Sequence, residues 1–198
     1  MNKILYILVF ISIALLISTL FFPQDKKVIN HQVLMRQNIA YDRNSTTPFT
    51  GTVEIYYDDG QLKESSNYKN GKREGISKEF IGPSRKYYAE SFYKDGKRHG
   101  LYQSFENGNL LEIINYKDDK RHGLHQFFEN GILRSEKFYK NDKIDGVYKY
   151  FFENGSLKQY GTYKNGKEHG PFELYNLKGE VINKGYMKNG VRVEEKKP

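Results

Sequence analysis

From Gly51 to the C-terminus the chain states one phrase of 23 to 25 residues about six times, each phrase pairing two tight-turn signals with aromatic strand segments. A fixed period of this length restricts the fold to an array of similar units, because one such unit cannot bury its own apolar face and must stack on a neighbour. The clearest copies are YKDGKRHGLYQSFENGNLLEIIN from Tyr93, YKDDKRHGLHQFFENGILRSEKF from Tyr116, YKNDKIDGVYKYFFENGSLKQYGT from Tyr139 and YKNGKEHGPFELYNLKGEVINKG from Tyr163. Pivot glycines at Gly51, Gly75, Gly100, Gly123, Gly146 and Gly170 mark the register at intervals of 24, 25, 23, 23 and 24.

Each phrase reads as a β-hairpin. One set of turn signals is Asn70-Gly71, Asp95-Gly96, Asp118-Asp119, Asn141-Asp142, Asn165-Gly166 and Asn189-Gly190. The other is Asp59-Gly60, Asn107-Gly108, Asn130-Gly131, Asn154-Gly155 and Lys178-Gly179. Asn, Asp and Gly tolerate the positive φ that tight hairpins need, and flanking strand formers make these pairs strong hairpin signals. One strand carries the aromatics after the pivot glycine, as in Tyr102-Gln103-Ser104-Phe105 and Tyr148-Lys149-Tyr150-Phe151-Phe152. The other reaches the next turn through Tyr68, Tyr93, Tyr116, Tyr139 and Tyr163, with Met187 in the last copy. Stacking predicts a tyrosine ladder on one face, forming the core, and a second ladder of post-glycine aromatics. The second copy departs at Ile81-Gly82-Pro83-Ser84-Arg85, where a longer turn is expected.

The expected class is therefore all-β, an elongated antiparallel β-hairpin array over residues 48–193 with a polar tail at 194–198. Tyr and Phe number 17 and 13 while Trp and Cys are absent, and aromatics favour a pleated, half-buried surface over a helix bundle. Ahead of the array, Ile4 to Phe22 is a run of 19 residues without charge, closed by Pro23-Gln24-Asp25-Lys26-Lys27. As a helix it would span about 28 Å, close to a hydrocarbon core. Its end, Leu20-Phe21-Phe22-Pro23, lacks the small residues of a signal-peptide cleavage site. Residues 1–23 are expected to be an uncleaved helical anchor, or otherwise a signal segment. The array would stand outside the cytoplasm as a single-pass envelope protein, or be secreted. Residues 24–47 read as a linker with one short strand near Val33 to Tyr41.

The composition excludes several chemistries. Without cysteine there are no disulfides, thiol nucleophiles, cysteine metal sites or lipid-modified N-terminal cysteine. The net charge of +8 is spread through repeats that also hold Asp and Glu, with no long run of one sign, so nucleic acid is not an expected partner. His99, His122 and His169 share a repeat column with Glu74 and Asp145, but equivalent residues two strands apart lie about 9 to 10 Å from each other, too far for one zinc ion. His122 and His125, three apart on a strand, point to opposite faces. That column reads as a solvated turn-flanking stripe. No nucleophile, phosphate loop or paired-carboxylate motif breaks the repeat, so no enzyme activity, cofactor or metal is expected.

The string Tyr-Lys-Asn-Gly-Lys-x-x-Gly-x-Phe/Tyr, at Tyr163 to Phe172 and from Tyr68, with the opening Pro48-Phe49-Thr50-Gly51, resembles the MORN-repeat-variant family, whose bacterial members include YwqK-type antitoxins. The resemblance covers about Pro48 to Val193 and implies an antiparallel β array used for protein association and sometimes for phospholipid contact. The expected function is thus a non-enzymatic, envelope-anchored or exported repeat protein that binds a protein partner, with an antitoxin or immunity role as one form. The alternatives are binding of anionic lipid or polysaccharide through turn lysines such as Lys69, Lys72, Lys94, Lys97, Lys164 and Lys167, with Lys94, Lys97, Lys164 and Lys167 as the test positions, or a structural spacer.

Overall fold

The computed structural model describes residues 27–29, 32–82, 84 and 86–193. The apolar run at 4–22, with the anchor helix expected there, and the tail at 194–198 lie outside the described residues. Among the described residues no helix is long and apolar enough to cross a membrane.

The described residues form sixteen strands: β1 Lys27–Ile29, β2 Val33–Arg36, β3 Ile39–Asp42, β4 Gly51–Tyr56, β5 Leu62–Lys69, β6 Lys72–Ile81, β7 Tyr87–Lys94, β8 Lys97–Glu106, β9 Asn109–Lys117, β10 Lys120–Glu129, β11 Ile132–Lys140, β12 Lys143–Phe151, β13 Leu157–Lys164, β14 Lys167–Tyr175, β15 Val181–Lys188 and β16 Val191–Val193. From β4 to β16 every strand pairs antiparallel with the next, and β1 adds parallel to β4, giving one sheet of 14 strands. At the usual spacing of about 4.8 Å such a sheet extends on the order of 60 Å.

The turn chemistry behaves as its residues dictate. Both central residues of the first set have positive φ, from Asn70 at 50° and Gly71 at 77° to Asn189 at 54° and Gly190 at 87°, as type I′ turns require. Asp119 and Asp142 hold φ of 66° and 67° in places where other copies use glycine. Their carboxylates offset this by accepting hydrogen bonds from the backbone N–H of Arg98 and Arg121, both at 2.9 Å. The pivot glycines also have positive φ throughout, for example 98° at Gly100 and 123° at Gly146.

Successive hairpins are stitched at the type I′ edge. The second turn residue donates its N–H to a carbonyl of the preceding hairpin: Gly96 to Arg73 at 2.9 Å, Asp119 to Arg98 at 2.9 Å, Asp142 to Arg121 at 3.0 Å, Gly166 to Ile144 at 2.8 Å and Gly190 to Glu168 at 2.8 Å. In the long-turn copy, the loop after β6 is held by Tyr57, whose hydroxyl donates to Phe80 O at 2.7 Å and accepts from Gly82 N–H at 3.0 Å.

Two expectations change. Where one short strand was expected before Pro48, β2 and β3 form a hairpin on Gln37 and Asn38, both with positive φ, that docks on the first repeat. Ala40 N–H donates to Gly71 O, Gly71 N–H to Phe49 O and Phe49 N–H to Ala40 O, all within 2.7–2.8 Å. Ala40, Phe49, Val53 and Tyr68 are buried together there, with Val33 packed against them. The second change concerns the tyrosine ladder. Of its five members only Tyr68 is buried; the others are half-exposed, because among the described residues no second layer covers them.

Candidate functional site

Residues directly opposite in the register share a face, so the pairings sort the side chains into columns. On one face, Tyr68 is opposite Arg73, Tyr93 opposite Arg98, Tyr116 opposite Arg121, and Tyr163 opposite Glu168. Each of the three arginines then reaches the tyrosine of the following hairpin: Arg73 lies 5.2 Å from the ring centre of Tyr93, Arg98 4.2 Å from that of Tyr116, and Arg121 4.4 Å from that of Tyr139. Tyrosine and arginine thus alternate along four hairpins, each cation over a ring, an arrangement in which the ring quadrupole attracts the guanidinium.

The post-glycine aromatics do not form one separate ladder; they divide between the faces. Those two residues after the pivot share the tyrosine face and pack edge-on to it, with Tyr102 against Tyr116 at 6.2 Å and Tyr148 against Tyr163 at 5.1 Å between ring centres. His125 takes the same place against Tyr139 at 5.6 Å. Three residues further along, Phe105 stacks on Tyr88 at 4.5 Å on the opposite face. Strand alternation demands this split.

The first two repeats gather a polar cluster on the tyrosine face. Arg73 donates to Glu64 Oε1 at 2.5 Å and to the hydroxyls of Tyr68 and Tyr93 at 3.3 Å. Ser66 Oγ donates to Glu64 and lies 2.6 Å from Ser77 Oγ. Burial works against the Arg73 charge, but the Tyr68 hydrogen bond and the Glu64 carboxylate hold it firmly protonated. The β2–β3 hairpin overhangs this cluster, enclosing a cleft of about 420 Å³ lined by Val33, Met35, Val53, Glu64, Arg73 and Tyr93. Further along the same face, His125 Nε2 lies 2.7 Å from Glu112 Oε1 while its buried Nδ1 has no partner. The Tyr148 hydroxyl donates to Glu168 at 3.0 Å and accepts from Gln159 at 2.8 Å. Burial is the main cause that raises the Tyr148 pKa, with Glu168 adding to it and Gln159 opposing.

The histidine column has a structural task that sequence reasoning missed. His99 Nδ1 lies 3.3 Å from Asp118 Oδ1, His122 Nδ1 3.4 Å from Asn141 Oδ1, and His169 Nδ1 3.3 Å from Asn189 Oδ1, each in the next turn. In the other copies Glu74 accepts from Asp95 N–H at 2.8 Å and Asp145 from Asn165 N–H at 2.9 Å. The column is therefore a turn-to-turn clasp; no group of three or more His, Asp or Glu among the described residues is arranged to hold a metal ion.

The four test lysines belong to a longer series. Lys69 is opposite Lys72, Lys94 opposite Lys97, Lys117 opposite Lys120, Lys140 opposite Lys143 and Lys164 opposite Lys167, all exposed. These pairs flank the type I′ turns, and none makes an ion pair among the described residues.

The model of the MORN repeat variant matches at four places, residues 49–70, 98–118, 121–141 and 144–165. Each match begins before a pivot glycine and ends on the first residue of a type I′ turn. No curated protein matches the chain. A chain in the solved structure titled "Crystal structure of GtfA/B complex" aligns over 61% of this chain and 20% of that one, at 12% identity and a TM-score of 0.25, too low to bear on fold or function. The four matched segments coincide with observed hairpins, and at these places the chain carries repeats similar to the MORN repeat variant.

Proposed function

We propose that this chain is a non-enzymatic binding module whose arginine–tyrosine face receives a protein partner. The observation that carries the reading is the alternation of half-exposed Tyr93, Arg98, Tyr116, Arg121 and Tyr139 in one register. Tyrosine and arginine are the side chains most enriched among residues that dominate binding energy, and here their mutual packing holds them in place before a partner arrives. Anchoring by residues 4–22 at a bacterial envelope, with the array outside the cytoplasm, is the location that fits the uncharged run. Neutralisation of a toxin is the finer form of the role that the repeat resemblance suggests.

The test is affinity capture from the native membrane fraction with tagged full-length protein, in parallel with Arg98→Glu/Arg121→Glu. A stoichiometric protein partner that is retained by the parent chain and by Lys94→Glu/Lys97→Glu, and lost by the arginine variant, is the expected result. Equal recovery by all three chains overturns the assignment to this face.

A further inference from the structure

The lysine pairs are on the face opposite the arginine–tyrosine columns, and they have aromatic neighbours. Phe92 precedes Lys94 by two residues on β7, Phe138 precedes Lys140 on β11, and Tyr186 precedes Lys188 on β15, so each ring shares the face of its lysine. The three rings are 40%, 40% and 39% exposed. In the hairpins between, the same place holds Asn67, Asn115 and Thr162, which donate to the carbonyls of Ile76, Leu124 and His169 at 3.0, 2.8 and 2.6 Å. Lysine pairs therefore recur every hairpin, about 10 Å apart, and exposed rings every second hairpin, about 19 Å apart.

We infer that this edge binds a linear anionic polysaccharide, with its acid groups on the lysine pairs and its sugar rings against Phe92, Phe138 and Tyr186. Directly opposed like charges destabilise a sheet, and type I′ turns need Asn, Asp or Gly rather than lysine beside them. Five such pairs in succession are a standing cost within the fold that an external polyanion offsets. The exposed rings select the class of polyanion: a flat apolar ring suits the C–H face of a pyranose and has nothing to offer a bare phosphate chain. Twist selects a flexible polymer over a bilayer. Adjacent strands rotate by about 20 to 25°, so the edge of a many-stranded sheet winds, and a flexible chain can follow it where a plane touches only an arc. The inference is independent of the proposed protein-binding face.

Full-length protein in neutral detergent, titrated with oligouronates of increasing length, tests it. Affinity should rise with length until the oligomer spans the row of pairs, about 40 Å for four repeat steps, and then level off. Lys117→Gln/Lys120→Gln should weaken binding and lower the slope of log affinity against log salt by about 2, one for each charge removed. Phe92→Leu/Phe138→Leu should weaken the oligouronate and leave inorganic polyphosphate, which has no rings, unchanged. Far-ultraviolet circular dichroism confirms folding of each variant, and Lys94→Gln/Lys97→Gln is the second lysine variant should the first misfold. Length-independent binding, or folded lysine variants that bind like the parent, overturns the inference. So does binding to phosphatidylglycerol vesicles without binding to oligouronate, which would make the row a membrane contact. Loss of partner capture in the arginine variant, with oligouronate binding intact, separates this inference from the protein-binding reading.

Discussion

Gly161 and Gly179 are required for opposite reasons. A Cβ on Gly161 would lie 2.5 Å from Cε1 of Tyr148, whose ring covers the glycine across the strand pair, whereas Gly179 has open space around it but a φ of +81°. Gly161→Ala should cost about 1 to 3 kcal/mol by overpacking. Gly179→Ala should cost about 1 to 2 kcal/mol through its backbone. Urea midpoints of the alanine variants and of the matching asparagine variants separate the causes: asparagine tolerates the left-handed region, so it should recover stability at 179 and lose more at 161. Gly179 was readable because Lys178-Gly179 ends an aromatic strand. Gly161 was not, since it sits mid-strand in Gln159-Tyr160-Gly161-Thr162 with no turn signal, and its reason is a ring 13 residues earlier. The arginines escaped notice on the same ground: Arg98 is seen as a ladder member only when the register places it against Tyr93 and its guanidinium over Tyr116.

The β2–β3 hairpin is the element whose importance its sequence concealed. Residues 33–42 show no repeat signal, and the hairpin matters through what it touches. A Cβ on Gly71 would lie 2.3 Å from Ile39 Cγ2, so this turn needs glycine where Asp119 and Asp142 serve in turns with no such covering hairpin. Phe49, 1% exposed, anchors the junction. Phe49→Ala should destabilise by about 3 to 5 kcal/mol, as for other buried phenylalanines. Because a repeat array is stabilised by nearest neighbours, hydrogen exchange should quicken through β4 to β6 and stay near the parent rate in β12 to β14. A uniform increase along the array would show that it unfolds as one cooperative block.

At the scale of the whole sheet, buried and half-buried phenols tie stability to pH. Burial is the leading cause raising the pKa of Tyr102, Tyr148 and Tyr163 above the ordinary tyrosine value of 10.0. These groups keep their protons longer in the fold than in the unfolded chain. Their contribution is full below pH 10.0 and drains away as pH rises toward the folded values. Urea midpoints taken on either side of pH 10 should fall, and the fall should be smaller in Tyr148→Phe; an equal fall in both would assign it to other groups. From β4 to β16 the antiparallel order was legible, since each turn signal lies where a strand reverses. The distribution of residues between faces was less so, because the ladder shifts within most strand pairs and the shift decides which side chains meet. The stitching along the type I′ edge has a direction: every such N–H belongs to the later hairpin and every acceptor carbonyl to the earlier one. A chain that emerges from its N-terminus therefore presents each new turn with a partner already in place, and assembly can proceed outward from the docked hairpin, one period at a time, without waiting for the far end.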